Sequence, residues 1–262
     1  MRLGRLAAAG GIAGPVLFTV AWVVSSLRQA GHSAAEVQLS GLAAEDARDP
    51  QIMIAGFVVL GAGTMVFGAG LGRVTGPRSA GRWLVVVAGA ASVAAGVFRR
   101  DHVLLTGPGF AGESWHNQVH DVVSGVAYGA MIAAPLLLGW RWRDDPDWAV
   151  PSRPVQVLAL ASAAALAVFA SGIAGPYNGV VQRIAVTLAL TAEILIAGRM
   201  LTLPEAAAAG RPAGALEKGV ASGAFVCCGG RPGEGDNVAQ LVAAGYPQLG
   251  IGPVQVRADR AG

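Results

Sequence analysis

The sequence predicts an all-α protein, a six-helix transmembrane bundle followed by a flexible C-terminal tail. The first observation behind this prediction is composition. Of 262 residues, 53% are hydrophobic and 13% are charged, whereas soluble proteins carry about 25% charged residues. The second observation is a set of six apolar runs, each near the roughly 20 residues that a helix needs to cross a bilayer core. No alternation of period two indicates a β-barrel, so helices are the structure expected to satisfy the backbone in lipid.

The six predicted spans follow one another within a transmembrane domain of residues 1–203. The third run is short, and we expect it to borrow a turn from its flanks. The fourth ends in Trp140 and Trp142, which suit the membrane interface. The sixth has Arg183 and Arg199 near its ends, where long side chains can reach the headgroups. The predicted spans are 7–27, 51–72, 83–98, 117–140, 154–173 and 179–202.

The distribution of arginine predicts the orientation of the spans, because cytoplasmic flanks retain basic residues. With the N-terminus inside, nine arginines flank the spans on the cytoplasmic side and five on the outer side. We therefore expect a multi-pass protein of the cell membrane with both termini in the cytoplasm. Residues 204–262, rich in Ala, Gly and Pro, read as a mostly disordered cytoplasmic tail.

Charge and cysteine content limit the function classes. The net charge is only +3 and the basic residues are scattered, so no nucleic acid partner is expected. The adjacent Cys227 and Cys228 lie in no ligand spacing that suggests redox chemistry or a structural zinc site. The lipid bilayer is the expected partner. Glycine pairs at spacing four allow close helix contacts, within the chain or in a homo-oligomer; they are Gly10 with Gly14 and Gly68 with Gly72.

Histidine and aspartate residues concentrate on the predicted outer side, between the third and fourth spans. His116 and His120 are four residues apart, so a helix places them on one face, and Ser124 and Tyr128 continue that stripe. This His/Asp cluster is the candidate site. Its candidate catalytic residues are Asp101, His116, His120 and Asp121.

Three interpretations of the cluster stay open. His116 and His120 with Asp101 could hold a divalent metal such as zinc, with Asp121 or Glu113 as further oxygen ligands. A metal-bound water could then hydrolyse a lipid ester or amide. The spacing of His116 and His120, however, lacks the glutamate of the HExxH metalloprotease helix. In the second interpretation, the cluster is structural, and its side chains cap α-helices or form hydrogen bonds between helices. In the third, the cluster recognises a ligand. No cofactor is established by the sequence.

Glu193 is the acidic residue that lies well inside a predicted span. A charge there costs about 2.5 to 3.5 kcal/mol on insertion scales, so the side chain should face the bundle. Glu193 is predicted to act either in a proton relay or in an interhelical polar contact.

Short motifs in the spans and loops resemble an uncharacterised family of bacterial and archaeal membrane proteins, domain of unknown function 998. The resemblance covers about residues 7–202 and implies a multi-span membrane protein with no established reaction. Its matching pieces are Gly14-Pro15 with Phe18, Arg28 with Gly31-His32-Ser33, Leu39-Ser40-Gly41-Leu42, Phe98 with Asp101, His116 with His120, and Gly179-Val180-Val181-Gln182-Arg183.

The sequence thus predicts an integral membrane protein of unknown biochemical activity, with the outer His/Asp cluster as its candidate site. Two alternatives are a membrane-embedded, metal-dependent lipid hydrolase and a small-molecule or proton-coupled transporter that depends on Glu193. Whether it is an enzyme is left open by the residues.

Overall fold

A computed structural model of the chain describes residues 2–76, 78–103 and 114–203. The described residues form six long helices and no strand, and all six helices are long and apolar enough to cross a membrane. The predicted six-helix bundle is confirmed. The predicted tail 204–262 and the candidate ligand Glu113 lie outside the described residues. The helices are α1 Arg2–Arg28, α2 Pro50–Thr75, α3 Ala80–Val97, α4 Trp115–Trp142, α5 Ala149–Ser171 and α6 Asn178–Thr202.

Local sequence signals explain several helix boundaries. Pro50 is the first residue of α2. Its lack of a backbone N–H loses no hydrogen bond there, because N–H groups in the first turn of a helix have no partner within the helix. The hydroxyl of Ser114 accepts a hydrogen bond from the Asn117 amide at 3.3 Å and caps α4. Gly172 ends α5 in the left-handed conformation at φ 69°. The predicted third span, 83–98, corresponds to α3, which begins three residues earlier, at Ala80, and ends one residue earlier, at Val97.

Successive helices run in opposite directions, so the bundle has two ends with different connections. We call the end that carries segments 29–49, 98–103 and 172–177 the loop end. The opposite end, where α1 begins and α6 finishes, is the terminal end. A short 3₁₀ helix, Leu39–Ala43, is buried within the first of the loop-end segments.

Helices α1, α2 and α3 pack through glycines that bring their backbones together. A Cβ added to Gly10 would lie 2.9 Å from the Gly63 carbonyl oxygen, and one added to Gly61 would lie 2.3 Å from that of Gly89. We call Gly10, Gly14, Gly61, Gly63 and Gly89 the glycine seam. Because no hydrophobic force draws helices together in lipid, such close backbone packing is what holds them in contact.

The second predicted glycine pair also packs inside the chain. Gly68 faces Val86 of α3, and Gly72 faces the Arg82 side chain. The homo-oligomer expected from glycine-rich faces stays a prediction.

Segment 29–49 is fastened across the loop end by α6. Nη1 of Arg183 donates to the carbonyl oxygens of Ala34 and Val37, both at 2.8 Å. Oε1 of Gln182 accepts from the Leu39 amide at 2.7 Å. The segment is therefore held as a fixed wall above the bundle, which sets the geometry of the site beneath it.

Candidate functional site

A cavity of about 510 Å³ lies at the loop end, a volume within the range of ordinary small-molecule sites. Helices α1 to α6 and the 29–49 segment all contribute to its wall. Its polar residues include Arg100, His120 and Asp121, whereas Phe57 and Leu60 belong to its apolar part. The cavity therefore offers two kinds of surface to one occupant.

An ion pair at the cavity wall joins the loop after α3 to the second turn of α4. Nη2 of Arg100 donates to Oδ1 of Asp121, and Oδ2 of Asp121 accepts from the side-chain Nδ2 of Asn117 at 3.2 Å. The backbone carbonyl of Arg100 accepts from the Glu45 amide at 3.0 Å. Arg100 is only 7% exposed, so its charge is compensated by Asp121 rather than by solvent.

Asp101 closes the loop before α4 and is not part of the cavity wall. Its two oxygens accept from the Ser114 amide at 2.7 Å and from the Ser114 hydroxyl at 2.5 Å. These hydrogen bonds hold the pKa of the Asp101 carboxyl below its ordinary value. The contacts of Asp101 are thus those of a loop-closing residue beside the start of α4.

His120 is buried in the cavity wall against the C-terminal end of α3. Its Nδ1 lies 3.0 Å from the Ala95 carbonyl oxygen and 2.7 Å from that of Phe98. Both partners are acceptors, so Nδ1 carries the proton, and in the neutral ring Nε2 is an acceptor. Nε2 is buried and has no hydrogen-bond partner among the described residues. His120 thus lines the cavity, and its Nε2 atom is buried and unpaired within the described part of the chain.

His116, by contrast, is exposed and stacks on Trp115 with ring centroids 3.7 Å apart. The structure thus gives the two histidines different surroundings. Within the described ranges, no group of three or more His, Cys, Asp or Glu side chains is placed to hold a metal ion. Zinc bound by His116, His120 and Asp101 stays a prediction, and so does its use in hydrolysis.

The rest of the predicted stripe on α4 does reach the cavity, where it meets residues of α6 that the sequence interpretation missed. Ser124 and Tyr128 line the wall with His120. The Tyr128 hydroxyl accepts from Nε2 of Gln182 at 3.1 Å. Asn178, Gln182 and Val186 also line it, and they repeat on α6 the spacing of four that marked the stripe on α4.

Glu193 lies deeper in the bundle, outside the cavity. Its Oε1 accepts from the hydroxyl of Thr64 on α2 at 2.9 Å. The side chain is 9% exposed and borders a separate void of about 20 Å³. The residue thus makes an interhelical polar contact in the interior of the bundle.

The family described as Protein of unknown function (DUF998) matches residues 12–199. The chain belongs to this family. No curated protein and no solved structure matches the sequence. In this DUF998 member, the matched region contains every residue that lines the cavity, together with Glu193. The family description supplies no reaction, so the chemistry has to come from the site.

The arrangement can recognise a ligand by hydrogen bonding and by apolar contact at once. The oxygen Oδ1 of Asn178 and the nitrogen Nε of Arg100 are, like Nε2 of His120, buried without a hydrogen-bond partner among the described residues. All three side chains line the cavity. Unpaired buried polar atoms are costly and uncommon, and these three belong to residues that line one cavity.

Proposed function

We propose that this multi-pass membrane protein binds a single-chain amphiphile in the loop-end cavity, with an uncharged hydroxylated headgroup beside Arg100, Asp121 and His120. The single observation that carries the proposal is the division of the cavity wall. Polar side chains from the loop end and apolar side chains from the bundle interior border the same 510 Å³ space. A wholly apolar or a wholly polar ligand would leave one of these surfaces unmatched.

The polar surface favours a neutral headgroup. Asp121 already compensates the charge of Arg100, and adding an anionic or cationic headgroup would leave a charge without a partner in a low-dielectric site. Nε2 of His120 accepts a hydrogen bond, and Nε of Arg100 donates one. A hydroxyl group can do both, since it is donor and acceptor at once.

The apolar surface favours an alkyl chain. Phe18, Phe57, Leu60, Met131 and Val186 border the inner part of the wall. Burying apolar area stabilises a complex by about 25 cal/mol per Å² before the costs of binding are subtracted. A single chain entering this part would supply most of the affinity, while the headgroup would determine its orientation.

Exposed residues in the wall support entry from the side of the bundle. Gly125 of α4 and Ala170 of α5 both line the cavity and are exposed at the surface. A Cβ added to Gly125 would meet no atom within 4 Å. A lipid-like ligand could therefore pass between α4 and α5 without leaving the apolar phase.

The proposal places the loop end at the outer face of the cell membrane. Of the five arginines assigned to that side, Arg100 and Arg183 are buried and hydrogen-bonded within the protein. The count of nine arginines at the terminal end against five at the loop end supports this orientation.

Equilibrium binding of radiolabelled lauroylglycerol to the protein in nanodiscs tests the proposed function. Lauryl phosphate has the same chain with an anionic headgroup and serves as the competitor. We expect unlabelled lauroylglycerol to displace the label at least about tenfold better than lauryl phosphate, which corresponds to about 1.4 kcal/mol. Equal displacement would contradict the assignment of the headgroup, and no saturable binding would contradict the function.

A further inference from the structure

The small void beside Glu193 continues the line of the loop-end cavity into the bundle. The void measures about 20 Å³, which is room for about one water molecule. Met131 borders both the cavity and the void. It lies eleven residues beyond His120 on α4, or about 16 Å deeper along the helix axis. Met131 is thus a side chain that the cavity and the void share.

The other helices around the void repeat this relation. On each of them, one residue lines the cavity and another, about one turn deeper on the same face, lines the void. The pairs are Leu60 and Thr64 on α2, Ser92 and Ala88 on α3, and Val186 and Ala189 on α6. The void is therefore the next layer of the same column and not an unrelated packing defect.

No other titratable side chain borders the void, whose described lining comes from α2, α3, α4 and α6. On the six helices, every other Asp, Glu, Lys or Arg lies within two turns of a helix end. On the cavity side of Met131, the titratable groups are Arg100, His120, Asp121 and Tyr128. The remaining charged side chains of the helices are Arg2, Arg5, Arg28, Arg73, Arg82, Arg141, Arg153, Arg183 and Arg199.

The contacts of Glu193 are those of a neutral carboxyl group. An ionised carboxylate in an apolar interior without a cation is strongly disfavoured. The hydroxyl of Thr64 donates a hydrogen bond to Oε1 of Glu193. The other carboxyl oxygen, Oε2, is therefore the one that can carry the acid proton. The neighbours Phe67, Val85 and Ile196 offer no competing partner.

We propose that Glu193 is a proton-binding site in the membrane interior, and that its proton exchanges with the loop end through the cavity and past Met131. Met131 suits a movable partition because its unbranched side chain has three rotatable bonds. Rotation of that side chain joins the void to the cavity, and a water molecule in the void then carries the proton between Oε2 and the cavity. The proton site on Glu193 requires no amphiphile, but its route runs through the cavity assigned above to the alkyl chain, so proton exchange is measured without added amphiphile.

Infrared spectroscopy of the purified protein tests both parts of this inference. The carbonyl stretch of a protonated carboxyl group is resolved from that of a carboxylate and shifts when its proton exchanges for deuterium. We expect a protonated-carboxyl band at neutral pH that is absent in Glu193→Gln. After transfer into heavy water, we expect the band to shift about tenfold faster or more in Met131→Ala and about tenfold slower or more in Met131→Phe.

Met53→Ala is the matched control, because Met53 is fully buried on α2 and lines neither the cavity nor the void. It should exchange like the wild type. If Met131→Phe does not fold, the faster exchange of Met131→Ala relative to Met53→Ala decides the result. Identical spectra for wild type and Glu193→Gln would overturn the proton site. The proposed proton route past Met131 would be overturned if substitution of Met131 left the exchange rate unchanged, or if Met53→Ala changed it as much as Met131→Ala does. The comparison of wild type with Glu193→Gln does not depend on amphiphile binding.

Discussion

Glycine has opposite roles on the two sides of this bundle. In the glycine seam, a Cβ on Gly61 would lie 2.3 Å from the Gly89 carbonyl oxygen, and one on Gly89 would lie 2.6 Å from that of Gly61. On α4, a Cβ on Gly125 or Gly129 would meet no atom within 4 Å. The seam uses the missing side chain to bring backbones into contact. The cavity side uses it to leave space.

This difference separates the parts of the molecule that hold the fold from those that receive a ligand. Helices α1, α2 and α3 form a closely packed unit that cannot yield without moving backbone. Facing it, α4, α5 and α6 leave a cavity whose polar atoms are only partly satisfied. We therefore expect substitutions in the seam to lower stability most. Substitutions in the cavity wall should change binding, with a smaller loss of stability where they break the ion pair of Arg100 with Asp121.

The largest expected effect is on the seam itself. Gly61→Leu should cost more than about 3 kcal/mol, because the added side chain meets backbone rather than a movable side chain. Size-exclusion chromatography and thermal melting in detergent would show an aggregated or early-melting protein. Gly129→Leu is the control and should melt like the wild type. Equal melting of the two variants would mean that the seam is not the rigid half of the molecule.

An intermediate effect is expected at the ion pair in the cavity wall. Asp121→Asn keeps the shape of the side chain but leaves the buried Arg100 without its counter-charge, at a cost of about 1 to 3 kcal/mol. The exposed pair at the same end, Arg28 with Asp49, is the comparison, and Asp49→Asn should cost below about 1 kcal/mol. Chemical unfolding of both variants in detergent measures the difference. A larger loss in Asp49→Asn would contradict the role assigned to burial.

The sequence predicted the bundle well because apolar run length is a local property. All six helices were recognisable from that signal, although α3 is only two residues longer than its predicted span. The predicted stripe comprised His116, His120, Ser124 and Tyr128, because a spacing of four keeps residues on one face. The last three line the cavity and His116 does not.

Tertiary neighbours determined what the stripe alone could not show. His120 meets the free carbonyl groups at the end of α3, whereas His116, one turn earlier, stacks on Trp115 instead. In the sequence, Gln182 was interpreted only as part of the start of the sixth span. Its spacing of four from Asn178 and from Val186 already indicated that the three residues share one helix face. The pairing of Arg100 with Asp121 joins a loop to a helix 21 residues away, and no local pattern specifies it.

The smallest expected effect is a pH dependence of the loop above the cavity. Burial, and then the nearby positive charge of Arg183, lower the pKa of His32 below its ordinary value. The unfolded chain therefore takes up a proton at a higher pH than the folded chain does. The stability associated with neutral His32 is complete above the ordinary histidine pKa and is lost as the pH falls through the lowered folded value.

Melting temperatures measured across the acidic range should show this loss. In His32→Gln, residue 32 does not titrate. The melting temperature of this variant should therefore fall less than that of the wild type between the histidine pKa of the unfolded chain and the lower pKa of folded His32. The glycine seam contains no titratable group and should contribute nothing to the difference between the two proteins. A His32→Gln profile that runs parallel to the wild-type profile would contradict the assignment.

The distinction between the two sides is tested most directly by lauroylglycerol binding to a pair of α4 variants. Gly125 lines the cavity and Gly129 does not, yet both have open space where a side chain would go. Gly125→Phe should raise the Kd at least about tenfold, or about 1.4 kcal/mol, whereas Gly129→Phe should leave it near the wild-type value. If both variants bind like the wild type, or if both lose binding equally, the cavity is not where the amphiphile binds.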